Sequence, residues 1–177
     1  VDDDRKHRFE ALYRQTYEQI LGYAVRRCDS PEDAADVVAE TFAIAWRRFD
    51  ALPAGGEARL WLYGVARNVL ANHRRGLARH RHRSVELDAD LADLYAHSPE
   101  GSVELGTIAR AFRELPDGDR ELISLVVWEG LDHGEIARVL GCSRNAARIR
   151  LHRARKRLSK ALSSAGITAD GFAVEFI

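Results

Sequence analysis

The sequence predicts an all-α chain: two small helical domains joined by a linker, the second containing a helix-turn-helix. Three observations carry that expectation. Apolar residues recur at three- and four-residue spacing along most of the chain, the period of an amphipathic helix. That period fails only over "LARHRHRSVELDADLADLYAHSPEGS", residues 77–102, where charge is mixed and turn residues gather. Beyond it, "LDHGEIARVLGCSRNAARIRLHRARKRL" pairs a short apolar-periodic stretch with a longer one across a single Gly-containing turn.

Each element has a local reason. Phe9, Leu12, Tyr13, Thr16, Tyr17, Ile20, Leu21 and Ala24 form one stripe, which predicts a first helix. "SPED" then reads as a helix start, with Ser30 as the cap, Pro31 at the first helical position and acids at the positive end of the dipole. The helix that follows is expected to bury Val37, Val38, Phe42, Ala45, Trp46 and Phe49 on one face. "LPAGGEA" breaks it. A third helix begins near Glu57, with Leu60, Trp61, Val65, Val69 and Leu70 suited to packing on the first two. A compact domain over residues 1–76 follows, then the linker.

Periodicity resumes at Val103, Leu105, Ile108, Ala109, Phe112 and Leu115, and Pro116 stops it. "DGDRELISLVVWEG" makes another helix, ended by Gly130. Two more, over about 132–140 and 144–162, complete a second domain spanning 103–162 and leave a tail of unknown role, 163–177. In the last helix Ala147, Leu151, Ala154 and Leu158 form a core-facing seam.

Net charge is zero, with 27 basic and 27 acidic residues, but the distribution is uneven. From Ala58 to Val85 there is no acid, whereas Arg59, Arg67, Arg74, Arg75, Arg79, Arg81 and Arg83 are basic. Between Glu86 and Glu121 the acids dominate, and residues 143–158 then carry seven Arg or Lys and no acid. Two cationic blocks around an anionic one predict two polyanion-binding surfaces. An enzyme is not expected: the His residues are scattered, no Gly-rich phosphate loop or metal signature occurs, and no cofactor is implied. "RHRHR" offers no organised ligand set and reads as a helix end or a phosphate contact. Cys28 and Cys142 match no metal spacing and read as small buried hydrophobes of a reduced, cytoplasmic protein. No apolar run approaches membrane-spanning length, and the opening "VDDDRKHRF" lacks a signal-peptide pattern.

The second basic block is the most informative. At about 100° per residue, Ile149 lies roughly 200° from Ala147 and so points away from the core. Asn145, His152 and Lys156 share its face, and Arg148 and Arg153 flank it. A solvated helix usually mixes charge signs to gain i,i+4 pairs, and it has no reason to expose an isoleucine. In a DNA major groove each feature has a use. Cations neutralise phosphates or grip guanine, Asn reads adenine, and an aliphatic side chain meets a thymine methyl.

The segment from Leu115 to Leu158 resembles the fourth conserved region of bacterial RNA polymerase sigma factors, particularly the small extracytoplasmic function (ECF) group. The "GLxxxEIAxxLG…RLHRAR" core stands as Gly130, Leu131, Glu135, Ile136, Ala137, Leu140, Gly141 and Arg150 to Arg155. Independently, "DAADVVAETFAIAWRRF" and "ARLWLYGVARNVLANHRR" resemble the second region of the same family. The resemblance implies a subunit that binds core RNA polymerase, directs it to promoter DNA and helps to open it. It implies polymerase docking through the helix of Asp36 and Glu40, with Phe42 and Trp46 setting its packing. Minus-ten recognition and melting would fall to Arg59, Arg67, Arg74 and Arg75 on phosphates and to Asn68 and Asn72 on bases or backbone, with Trp61 either stacking or anchoring the core. Minus-thirty-five recognition would fall to Arg144, Asn145, Arg148, Ile149, His152 and Arg153. The acidic linker, with Asp88, Asp90 and Asp93, matches the family's segment that threads the polymerase channels. An anti-sigma factor masking both DNA-binding domains is a further implied partner.

The chain departs from the family pattern in places. Ala35 and Ala39 replace polar docking residues, Asn72 replaces an Asp, and Ala146, Ala147, Arg148, Ile149 and Arg150 replace a Thr-Val-Lys-Ser-Arg run. Two other readings stay open at this level. One is a stand-alone helix-turn-helix repressor or activator, which would bind palindromic DNA unaided. The other is a helical adaptor or scaffold, which would show little salt-dependent DNA affinity.

Overall fold

The structure, a computed structural model, describes residues 2–81 and 103–167. The chain divides into two compact units, Val1–Asp93 and Leu94–Ile177. Among the described residues the regular structure is helical throughout. The first unit holds α1 (Asp2–Val25), α2 (Pro31–Arg47), a single 3₁₀ turn (Phe49–Ala51) and α3 (Glu57–Arg81). The second holds α4 (Val103–Arg113), α5 (Asp117–Val127), α6 (His133–Leu140) and α7 (Arg144–Ser164).

In the first unit α1, α2 and α3 pack against one another. Ile20, Tyr23, Val37, Leu62 and Tyr63 are buried essentially completely, and the Tyr23 and Tyr63 rings meet at 5.3 Å. Burying side chains of this size is worth about 1.5–3 kcal/mol each. Two hydroxyls enter this core at little cost: Thr16 Oγ1 donates to the Leu12 carbonyl and Thr41 Oγ1 to that of Val37, each at 2.7 Å. The α2 start is as expected. Ser30 Oγ accepts from the Asp33 N–H at 3.1 Å and Pro31 opens the helix, a cap worth about 1 kcal/mol.

Several expectations for this unit need correction. Trp46 is 38 % exposed, because it lies at the edge of the α2 stripe rather than at its centre. Its ring instead packs at 5.1 Å on Phe9, while the Arg5 guanidinium sits 4.8 Å from its centroid and donates to its carbonyl at 2.8 Å. That cation lies at the negative end of the helix dipole. Tyr13 is exposed as well, and Trp61 and Val65 are only half-buried, so Leu62 and Tyr63 take the central positions in α3. The third helix also continues to Arg81, so the first residues of the expected linker are helical and the segment without helical period starts later than residue 77. The remainder of that linker, including Arg83, Asp88, Asp90 and Asp93, lies outside the described residues.

In the second unit α4, α5 and α6 all pack on α7. Ala111, not Ala109, faces the core of α4. Leu122, Leu125, Leu131, Ile136 and Val139 are buried in this unit, as are Ala147, Leu151 and Ala154 of the α7 seam. Leu158, expected in that seam, is only half-buried, and Leu162 one turn on is buried instead. Small residues at Ala147 and Ala154 let neighbouring helices come close, and Leu151 fills the space between them. A cross-helix ion pair supports this packing: Arg157 Nη1 meets Asp119 Oδ2 at 2.5 Å, with Asp119 largely buried. One cation of the basic helix is therefore structural, paired with an acid from α5 that lies 38 residues away.

Candidate nucleic-acid interfaces

The start of α6 and the turn from α6 to α7 are both fixed by caps. Asp132 Oδ1 accepts from the Gly134 and Glu135 N–H groups at 2.6 and 2.9 Å, and Glu135 Oε2 accepts from the Asp132 N–H at 2.9 Å. This is a complete capping box, legible in the sequence as D-x-x-E but not anticipated. Those two backbone donors hold the Asp132 carboxyl below its ordinary range. Gly141 closes α6 in the left-handed region at φ 64°, where a Cβ would be strained, and the Cys142 N–H reaches back to the Ala137 carbonyl at 2.9 Å. Ser143 Oγ then caps α7 by accepting from the Ala146 N–H at 3.1 Å. The second helix is thus set at a defined angle to the first, as a helix-turn-helix requires.

On α7 the outer face is as the helical phase predicts. Asn145, Arg148, Ile149, His152, Arg153 and Lys156 are all exposed, with Ile149 at 38 %, and Arg144 stands at the exposed N-terminal end. Arg148 Nη2 donates to Asn145 Oδ1 at 3.1 Å, linking two of these side chains across one turn.

On α3 the geometry divides the expected set. Trp61, Asn68, Asn72 and Arg75 fall within about 60° of one another around the axis. Trp61 is half-buried and the other three are exposed. Arg75 Nη2 donates to Asn72 Oδ1 at 2.5 Å, an i,i+3 pairing like that on α7. Arg67 and Arg74 are exposed but lie about 120° and 140° from Trp61 round the axis, off this stripe. Arg59 is not brought onto it: it lies half-buried, roughly 160° from Trp61 on the core side. Arg74 is also partly committed, since its Nη2 donates to the Arg27 carbonyl at 3.0 Å and ties α3 to the turn after α1. Beside it His73 Nε2 meets Asp33 Oδ1 at 3.2 Å, joining α3 to the start of α2. No sequence pattern flagged that pair, because its partners are far apart in the chain and neither belongs to a motif.

Cys28 sits beside this cluster. Burial, reinforced by Asp33 and opposed by Arg74, pushes its thiol up to about 11, so it remains a protonated thiol at neutral pH. On α2, Asp36, Ala39, Glu40, Ala43 and Arg47 are exposed on the side opposite the core. No helix among the described residues is long and apolar enough to cross a membrane.

The comparison with known families agrees with this geometry. Residues 12–80 match the family described as Sigma-70 region 2, and residues 105–158 match Sigma-70, region 4. The chain is 30 % identical over 161 residues to the RNA polymerase sigma factor YlaC of Bacillus subtilis strain 168, covering 88 % of this chain and 93 % of that protein. The chain belongs to the RNA polymerase sigma factors. Within them its similarity extends to the ECF sigma factor SigL of Mycobacterium tuberculosis, at 30 % identity over 163 residues, 89 % of this chain and 90 % of SigL. Among solved structures, this sigma factor is similar to RpoE of Bartonella quintana, determined in complex with the anti-sigma factor NepR. The TM-score is 0.66 at 25 % identity, with 92 % of this chain and 98 % of that one covered. The resemblance read from the residues is therefore the family itself. As a sigma factor of the ECF group, the chain is a transcription initiation factor that binds core RNA polymerase and directs it to promoters.

Proposed function

We propose how this sigma factor divides its work among its helices. Within the first unit, a domain over residues 1–76 docks on core polymerase through the outward face of α2, where Asp36 and Glu40 supply the charge. It recognises and opens the minus-ten element through α3, and a domain over 103–162 in the second unit reads the minus-thirty-five element through α7. The observation that supports this most is that each unit presents a helix whose outward side carries cations and amides, acid-free along α7 and acid-free on α3 beyond Glu57 in its first turn. A repressor needs only the second such face.

Opening DNA requires that unpaired bases be held after they leave the stack, at a cost of a few kcal/mol recovered by stacking and hydrogen bonds. Helix α3 has the parts for this. The half-buried Trp61 offers an aromatic edge, Asn68 and Asn72 offer amides, and Arg67, Arg74 and Arg75 offer phosphate contacts. Arg59 stands half-buried at the start of the helix, away from the Trp61 stripe. An anti-sigma factor is the natural antagonist, by analogy with the NepR complex of RpoE and the CnrY complex of CnrH. It would act by covering these faces. The protein then works in the cytoplasm, where polymerase is, and catalyses no covalent chemistry itself.

The test separates opening from binding. Asn68→Ala combined with Asn72→Ala, in complex with core polymerase, should lower permanganate reactivity of minus-ten thymines about tenfold or more, while closed-complex affinity changes less than threefold. Equal reactivity in the variant and the parent would remove α3 from the melting step.

A further inference from the structure

The outer face of α7 is short of hydrogen-bond acceptors, and this bears on which bases it reads. The inference rests on the minus-thirty-five role proposed for that helix. Arg144, Arg148, Arg153 and Lys156 carry donors only, and Ile149 carries none. The oxygens nearest the helix start are already engaged. Ser143 Oγ accepts from the Ala146 N–H, while Asp132 and Glu135 belong to the start of α6, where one oxygen of each serves its capping box. Asn145 is the one side chain near the N-terminal end of that face whose oxygen would reach an amino group on a base, and Arg148 donates to that oxygen at 3.1 Å. Oδ1 keeps a second lone pair. However, reading adenine requires Asn to accept from N6 while donating to N7, and the N6 amino group would have to converge on an oxygen beside a guanidinium donor. The guanidinium already draws on that oxygen, which weakens it as an acceptor for a second, amino donor. His152 has a ring nitrogen that accepts in its neutral form, but it lies two turns into the helix, whereas recognition helices meet base edges with their N-terminal residues.

We propose that the Asn145–Arg148 pair makes this recognition surface blind to amino groups. It reads major-groove acceptors and methyl groups, that is, guanine through N7 and O6 and thymine through O4 and its methyl. Arg148, oriented by Asn145 Oδ1, takes a guanine edge, the Asn145 amide N–H groups take an adjacent N7 or O4, and Ile149 one turn on covers a thymine methyl. Adenine, the usual bidentate partner of a recognition-helix Asn, offers only its N7 to this surface while Arg148 is in place.

The experiment uses the full chain with core polymerase and a promoter library randomised in the upstream element, followed by single-atom base replacements in the selected site. A run of guanine and thymine on one strand is expected. Replacing the contacted thymine by deoxyuridine should weaken binding about fourfold, the effect of one buried methyl, and should have no effect in Ile149→Ala. Replacing guanine by 7-deazaguanine should weaken it about tenfold. Replacing adenines of the site by purine deoxyriboside, which lacks N6, should leave binding unchanged. Arg148→Ala should free Oδ1 and shift selection toward adenine at the position facing Asn145. Loss of affinity on removing adenine N6 would overturn the proposal, as would uniform weakening by Arg148→Ala with no change in preference. A holoenzyme that initiates without any upstream sequence preference would instead overturn the minus-thirty-five role on which it rests. The base replacements are made on the parent protein, and Ile149 is exposed, so none of these outcomes depends on a variant failing to fold.

Discussion

Leu151→Ala will destabilise the second unit by about 2–5 kcal/mol. Leu151 is 1 % exposed and fills the seam between Ala147 and Ala154, where neither small neighbour can expand into the void. For a unit of this size, 1 kcal/mol corresponds to roughly 4–8 °C, so its thermal transition should fall by about 10 °C or more. A small helical unit has little stability in reserve, and upstream promoter binding should be lost at physiological temperature. Calorimetry of the full chain checks this directly. An unchanged transition would mean that α7 does not carry the core of its unit.

Reversing the charges of α2, by Asp36→Lys together with Glu40→Lys, will have the other large effect. Both side chains are exposed and face away from the core, so folding stability should change by no more than about 0.5 kcal/mol. Two like-charge contacts at an electrostatic interface cost several kcal/mol, and affinity for core polymerase should fall at least about a hundredfold. Titration against purified core polymerase measures it. Retained affinity would move the docking surface away from this face, and the alanines at positions 35 and 39 make the test sharper by leaving few other polar contacts there.

Helix phase was the part of the structure most legible in the sequence. The period around Ala147, Leu151 and Ala154 placed Ile149 outside, and the caps at Ser30, Ser143 and Gly141 were visible as residue types whose chemistry suits a helix end. Large amphipathic aromatics were less legible. Trp46 and Trp61 are hydrophobic enough to suit either side of a stripe edge, and only tertiary neighbours such as Phe9 and Arg5 decide how deeply the Trp46 ring sits. Long-range polar pairs were not legible at all. Arg157 with Asp119 and His73 with Asp33 join helices through contacts that no local spacing encodes, so the two residues of each pair looked like ordinary surface charge. The same holds at the interfaces. The sequence pointed to Asn145 and Asn72 as amides able to read bases, but the guanidinium standing one turn away on each of them emerged only from the fold.

We propose that this promoter-directing subunit acts through two separate DNA-facing helices. The most direct measurement combines the protein with purified core RNA polymerase and a library of genomic fragments and maps transcript starts. The prediction is stable core binding and new start sites that share two sequence elements, at minus-ten and minus-thirty-five. No core binding and no new starts, or tight binding of the protein alone to palindromic DNA, would contradict it.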